Sequence, residues 1–369
     1  MKKYKFVILL FLSLMTLFSC VIYEKEVEIE TFTRTIVVYL GRDNDLFRQR
    51  EEKIKYMLDG WSGKNGHLII YQDIAGENAR LMEAYKQDSI GDVRIIEEYK
   101  NDNSANPQTL SRVIHDAMSL YPADSYGLIV FSHATGWLPE NTFVSPRSLI
   151  PDQNDKMELA GFASAIPNGT FDFIIFEACY MAGIEVAYEL KDKTRYILAS
   201  STEVLSPGFA EVYASSMDYL FEVEPNLKGF TQNLYSLFNT EEYYNSCTFS
   251  LIKTAELPAL KSFLQASIDK EKMKDINIPE IQRFDTYSKG LFFDFEDYFS
   301  RILKDDVSSN QLSLLTSNCI MYKAATPSFK LSGGFTINRH SGFTTYIEQE
   351  RFPYLNESYK ELSWRRELF

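Results

Sequence analysis

The sequence predicts an α/β protein in which a mostly parallel sheet carries helices on both faces. Two observations predict it. The first is a set of short, nearly all-apolar runs, of which Gly127 to Phe131 and Phe171 to Phe176 are the clearest. Such runs suit strands covered on both faces, as parallel strands are. The second is their alternation with segments whose apolar residues recur at helical spacing, the pattern of successive βαβ units. A hydrophobic content of 45% over 369 residues is ample for a large core.

In chain order, Thr35 to Leu40 reads as a strand and Leu46 to Leu58 as a helix, with Asp43, Asn44 and Asp45 between them as a turn and helix cap. Leu68 to Gln72 is a strand, Glu77 to Lys86 a helix and Val93 to Glu98 a short strand. Asn106-Pro107 opens an amphipathic helix with Leu110, Val113, Ile114, Ala117 and Met118 on its apolar side. The strand ending at Phe131 follows. Pro139, Pro146 and Pro151 then turn residues 138–155 into a long surface loop. Met157 to Ala165 is a helix and Phe171 to Phe176 a strand. After it Met181, Ile184, Val186, Ala187, Tyr188 and Leu190 form a helix with Glu185 and Glu189 on the more polar side. Arg195 to Ser201 returns as a strand. Past Gly208 the expectation is helices at Phe230 to Phe238 and Pro258 to Ile268, and an extended stretch at Thr248 to Ile252. An edge strand at Gly334 to Ile337 and a closing helix at Tyr359 to Leu368, which packs Trp364, complete the chain. The organisation is therefore a core over 34–215 with an α/β extension over 216–369 packed on it.

The N-terminus has a different composition. Lys2, Lys3 and Lys5 precede an apolar run, Phe6 to Phe18, that is short for a membrane span and suits the hydrophobic region of an export signal over 1–19. It ends in Leu17-Phe18-Ser19-Cys20, which resembles the lipobox of bacterial lipoproteins. That resemblance implies acylation of Cys20, a tether over 20–33 and anchoring in the cell envelope; Val21 after the cysteine points to the outer membrane. Loss of the three lysines leaves 35 basic residues of the original 38 against 51 acidic ones, taking the net charge from −13 to −16. Such a surface opposes nucleic acid and favours cationic ligands. Of the remaining cysteines, Cys247 and Cys319 either pair as one disulfide or stay as buried thiols, and no metal-site spacing is present.

The chemistry concentrates at two strand ends. Ser132-His133 closes one apolar run and Ala178-Cys179 the other, so a parallel sheet delivers an imidazole and a thiol to the same edge. Ligands of open α/β sheets gather there. Cys179 is expected at or just before a helix N-terminus, whose unpaired N–H groups stabilise a thiolate. Taken singly, each residue has an ordinary explanation, as a buried thiol or a structural histidine. Their paired placement points instead to a cysteine nucleophile with a base. Ser132, Asp172, His67 and His115 read as structural, and His340 as part of a surface turn.

At these positions the sequence resembles the clostripain-like cysteine peptidases, which share a fold group with caspases, gingipains and legumains. The resemblance rests on Phe131-Ser132-His133-Ala134-Thr135-Gly136-Trp137 and on Phe176-Glu177-Ala178-Cys179-Tyr180-Met181 continuing through Glu185 to Leu190. It also takes in Thr35 to Leu40 with Asp43 to Leu46, and Tyr196 to Ser201 followed by Glu203 and Pro207-Gly208-Phe209. It implies a caspase-like core, a His133–Cys179 dyad, oxyanion donors at the N–H groups of Ala134 and Cys179, and cleavage of peptides after Arg or Lys. A pocket for a basic side chain needs a carboxylate, and Glu177 and Glu203 are the candidates beside the active edge. Self-cleavage between the histidine and the cysteine is implied as well, with Arg147 the candidate site.

Two departures stand out. Ala134 replaces the usual glycine and tolerates positive φ poorly, and Glu177 replaces the usual aspartate. They leave a rival reading open, a binding lipoprotein that keeps the peptidase fold without its activity; another thiol hydrolase or transpeptidase is a third. No cofactor is required and no metal site is expected. Calcium stays open, because Asp43-Asn44-Asp45 lacks the full calcium-loop pattern.

Overall fold

The computed structural model describes residues 32–41, 47–100, 102–139, 142, 151–152, 155–287, 290–331 and 333–369. Cys20, Arg147, the Asp43-Asn44-Asp45 triplet and the expected export signal lie outside the described residues.

The apolar runs become strands of one sheet. In chain order the first half gives β1 (Arg34–Leu40), α1 (Phe47–Gly60), β2 (Gly66–Gln72), β3 (Ala79–Gln87), β4 (Ile90–Tyr99), α2 (Pro107–Leu120) and β5 (Ser125–Phe131). Next come α3 (Leu159–Ala165), β6 (Phe171–Glu177), α4 (Ile184–Glu189), β7 (Thr194–Ala199), α5 (Ala210–Ser216) and α6 (Leu227–Phe238). The last part supplies β8 (Thr248–Lys253), α7 (Leu257–Ser267), α8 (Phe295–Arg301), α9 (Asp306–Cys319), β9 (Ile320–Ala325), α10 (Pro353–Lys360) and α11 (Ser363–Leu368).

Among the described residues these strands form a nine-stranded sheet in the order β9-β8-β7-β6-β5-β1-β2-β3-β4. The central strands β7, β6, β5, β1 and β2 run parallel. Antiparallel pairs flank them, β8 with β9 on one side and β3 with β4 on the other. Because successive side chains alternate across a strand, each central strand feeds two cores. Tyr39, Tyr71, Val130 and Phe176 face the layer that holds α2, α3, α4 and α7. Val38, Ile70, Ile129 and Ile175 face the layer of α1, α5 and α6. At the N-terminal ends of the strands buried Arg34 ties the sheet together, donating to Ser125 Oγ at 2.9 Å, Leu220 O at 3.0 Å and Asp172 Oδ2 at 3.0 Å. Asp172 is thus held by Arg34 and, from outside, by Arg195.

Several elements differ from the sequence reading. The helix expected over Glu77 to Lys86 is strand β3, which turns into β4 through Asp88 and Ser89, both with positive φ (51° and 71°). That two-residue turn matches the twist of a hairpin, and tertiary pairing overrides the helical spacing. The helix after Cys179 starts only at Ile184, and Glu185 is buried rather than on a polar side. The closing helix is two helices, α10 and α11, with Trp364 fully buried as expected. Only Phe335–Thr336 of the expected late strand pairs, with Ser328–Phe329 in a separate ribbon. His340 is no surface turn: its Nε2 is buried, and burial with Lys323 nearby pushes the imidazole down to about 3. Cys247 and Cys319 are both buried free thiols, and burial pushes each up to about 12.

Glu185 has a thermodynamic consequence. Burial pushes its carboxyl up from 4.5 to about 7, although Tyr346 N–H and Thr345 Oγ1 donate to it at 2.8 and 2.9 Å. A folded-state value above the unfolded one means that the folded chain binds the proton more tightly, so this stabilising contribution is complete below pH 4.5 and lost as pH rises through 7. The shift corresponds to about 3 kcal/mol. Denaturant titrations of wild type and Glu185→Gln across pH 4 to 8 are expected to show a fall in wild-type stability that is markedly shallower in the variant; parallel curves would contradict this assignment.

Candidate active site

Parallel pairing of β5 with β6 sets Phe131 opposite Glu177, and the next residues of each strand leave the sheet together. Ser132 N–H still reaches Glu177 O at 3.5 Å. Two residues beyond the register, His133 and Cys179 therefore emerge side by side, both half-buried. They line one cavity of about 170 Å³ together with Phe131, Ser132, Glu177, Ala178, Val204, Leu205, Ser206 and Gly208. Ala134, the residue that departs from the family's glycine, is not among the positive-φ residues; Gly136 is, at 60°. Alanine is thus compatible with the backbone at 134. Among the described residues no cluster of His, Cys, Asp or Glu could hold a metal ion.

The turn that presents Cys179 is held from three directions. Tyr180 sits at φ 60°, in the left-handed region. Its N–H donates to Thr202 O at 3.0 Å and the Ala182 N–H to Ser200 O at 2.9 Å, while Thr344 N–H donates to Ala182 O at 2.9 Å. The Tyr180 ring stacks on Phe292 with centroids 4.4 Å apart. The histidine loop packs against the same turn, since a Cβ on Gly136 would come within 2.8 Å of Tyr180 O. The receiving loop is fixed in turn by hydroxyls: Thr248 Oγ1 accepts from Ser201 N–H at 2.9 Å and from Thr202 N–H at 3.1 Å, and lies 3.1 Å from Ser200 Oγ.

This arrangement corrects the expected electrostatics of the thiol. With α4 starting five residues downstream, its N-terminus does not underlie Cys179. The described donor to the sulfur is instead the Val204 N–H, at 3.3 Å.

The two candidate acids part company. Glu177 continues the face of Phe173 and Ile175, which looks toward α1 and α5. Its side chain is 1% exposed and ion-paired with Lys53. It also accepts from Phe209 N–H at 2.6 Å and Tyr213 Oη at 2.9 Å. Glu177 nevertheless lines the cavity of His133 and Cys179, with Lys53 as its ion-pair partner. Glu203 is half-buried and directly precedes the loop that lines the cavity.

Sequence reasoning missed Lys53, Val204, Thr248, Phe292 and Thr344. Lys53 left a signal: it lies one helical turn before Met57 on the apolar side of α1, where a cation requires a partner. Val204 and Thr344 act through backbone groups, Phe292 through packing and Thr248 through a hydroxyl that accepts backbone N–H groups, and these leave none.

The sequence profile of the clostripain family matches residues 38–334. Clostripain from Hathewaya histolytica is 23% identical over 413 aligned positions, which cover 87% of this chain and 77% of that protein. The fold superposes on an inactive zymogen C11 protease from Parabacteroides distasonis with a TM-score of 0.82 at 32% identity, covering 92% of this chain and 99% of that one. It superposes also on a secreted C11 cysteine protease from Bacteroides thetaiotaomicron, solved with an irreversible peptide inhibitor, with a TM-score of 0.79 at 26% identity over 91% and 98% of the two chains. The matched span takes in both strand ends, the cavity and the two added edge strands, and on these grounds the chain belongs to the clostripain family of cysteine peptidases.

Proposed function

We propose that this cysteine endopeptidase works through Cys179 as nucleophile and His133 as its proton carrier. The observation that carries the reading is the convergence of the two half-buried side chains on one cavity at the C-terminal edge of the parallel strands. The Cys179 sulfur attacks the peptide carbonyl carbon, the C–N bond breaks as the leaving amine takes a proton from His133, and water then hydrolyses the thioester. The N–H groups of Cys179 and Ala134 are the donors assigned to the oxyanion. A merely binding role is disfavoured by the retention of both residues and by the family to which the chain belongs.

Selectivity for Arg or Lys before the scissile bond is assigned to Glu177, which lines the cavity, and to Glu203, which directly precedes the cavity's loop. The acidic balance of the chain agrees with cationic substrates. Export as a lipoprotein acylated at Cys20, seated in the outer membrane of a cell envelope, rests on the lipobox-like ending; the secreted Bacteroides thetaiotaomicron relative supports the export half of it. Among the described residues no helix is long and apolar enough to cross a membrane. Self-cleavage after Arg147 is supported by the zymogen state of the Parabacteroides distasonis relative.

Cys179→Ala and His133→Ala are each expected to lower kcat/KM by at least about a thousandfold with unchanged thermal unfolding. Full activity in either variant would sink the dyad. With matched peptide substrates, Glu203→Gln is expected to lower the Arg-to-Leu preference about tenfold or more, the worth of one charge-assisted hydrogen bond. An unchanged ratio would remove Glu203 from the pocket. Intact-mass measurement of the envelope-extracted chain is expected to show acylation that is absent in Cys20→Ser, and a cut after Arg147 that is absent in Cys179→Ala. Loss of neither mass feature in its variant would refute both assignments.

A further inference from the structure

We infer that the cavity bounded by α8, α10, α11 and the segment after α7 is a second ligand site, which takes a small anion with an aromatic body and transmits its occupancy to the dyad through Trp137. The link to catalysis rests on the proposed His133–Cys179 pair; the binding does not. The cavity measures about 390 Å³, more than twice the volume beside Cys179. That is the size of a small-molecule site. Tyr298, Tyr346 and Tyr359, all buried, contribute rings to its lining together with half-buried Phe369. Such a lining favours a flat apolar body.

Charge selects the other end of the ligand. Three side-chain cations line the cavity, Lys270, Lys274 and Arg365, against the one carboxylate of Glu348. The chain as a whole has the opposite balance, with a net charge of −13. Arg365 is held in place, because it bonds Glu348 and its guanidinium lies 4.3 Å from the centre of the Phe369 ring. Lys274 pairs with Glu271 at 2.7 Å, whereas Lys270 is exposed and has no ion pair among the described residues. An anion can therefore meet Lys270 without displacing a carboxylate.

The aromatic lining leads back to the dyad. Tyr346 and Tyr359 each stand 5.2 Å, centroid to centroid, from Trp137, and 5.1 Å from each other. Trp137 lies four residues beyond His133 in the histidine loop, and its buried indole Nε1 has no hydrogen-bond partner among the described residues, so packing alone holds the ring. The segment that carries Tyr346 also holds the cysteine turn, since Thr344 N–H donates to Ala182 O at 2.9 Å. A ligand seated against these two tyrosines moves or stiffens the rings on which Trp137 packs. Binding and the placement of His133 are thereby coupled.

The test uses the full chain, with Cys179 either free or blocked by a peptide-based alkylating inhibitor. The probe is anilinonaphthalene sulfonate, an aromatic anion that fluoresces in apolar surroundings, and the comparator is N-phenylnaphthylamine, the same ring system without the sulfonate. Saturable binding of the sulfonate is expected in both forms of the chain. It is expected to weaken about tenfold or more in the double variant Lys270→Ala with Lys274→Ala, which leaves binding of the neutral comparator unaltered. Both lysines are exposed, so thermal unfolding of that variant is expected to match wild type. Met273→Trp, which fills the cavity from a half-buried position on its lining, is expected to abolish binding of both probes. At saturating sulfonate kcat is expected to change at least about twofold in wild type and not in Met273→Trp.

Absence of saturable binding, loss of binding when Cys179 is blocked, or sulfonate binding that ignores the two lysines would overturn the site. Lysine-dependent binding with unchanged kcat would overturn the link through Trp137. If Met273→Trp does not fold, the lysine variant still decides both. If the wild-type chain cleaves no peptide, the proposed function fails, while the probe titrations still decide whether the site exists.

Discussion

The left-handed backbone at Tyr180 is the constraint on which the rest of the site depends. An L-residue with a large side chain pays about 1–2 kcal/mol to sit there, and nothing local offsets it. What offsets it is distant in sequence: stacking on Phe292, and hydrogen bonds that tie the turn to Thr202 on one side and Thr344 on the other. The turn also explains the glycine at 136, because the histidine loop can approach Tyr180 O only without a Cβ.

The segment beyond residue 216 is accordingly not an appendage. β8 and β9 extend the sheet past β7, which would otherwise be an edge with unpaired N–H and C=O groups. Thr248, in β8, orders the loop that receives Tyr180 N–H. Thr344 and Thr345 bracket the start of α4, the latter donating to buried Glu185. Geometry at the sheet's active edge is therefore set by residues as far apart in the chain as Ala182 and Thr344, and a core cut at 215 would lack them.

Much of this was legible in the residues themselves. The apolar runs at 127–131 and 171–176 marked strands buried on both faces, and their polar endings marked the edge where chemistry collects. Parity along β6 carried more than was taken from it. Phe173, Ile175 and Glu177 share one face, so the carboxylate had to enter the helical layer below the sheet and find a cation there. The β3–β4 hairpin was hidden because its segment also satisfies helical spacing; the Asp88-Ser89 turn was the weaker and truer signal. No pattern of residue types announces that Val204 lends its backbone N–H to a sulfur, since every residue but proline carries that group.

Charge at the site is organised by consumption. The chain is strongly acidic, yet Glu177 is paired with Lys53, and Glu185 is held by the hydroxyl and backbone donors of Thr345 and Tyr346. Glu177 lines the cavity, and its charge is met there by Lys53. A thiolate surrounded by unneutralised carboxylates would be pushed toward its protonated form. The same logic separates the three described thiols. Cys247 and Cys319 are sealed in apolar surroundings that hold them protonated to about 12, whereas Cys179 is half-buried beside an imidazole with an N–H aimed at its sulfur. Reactivity in this chain follows from where the fold removes negative charge and where it leaves a donor, not from the presence of cysteine as such.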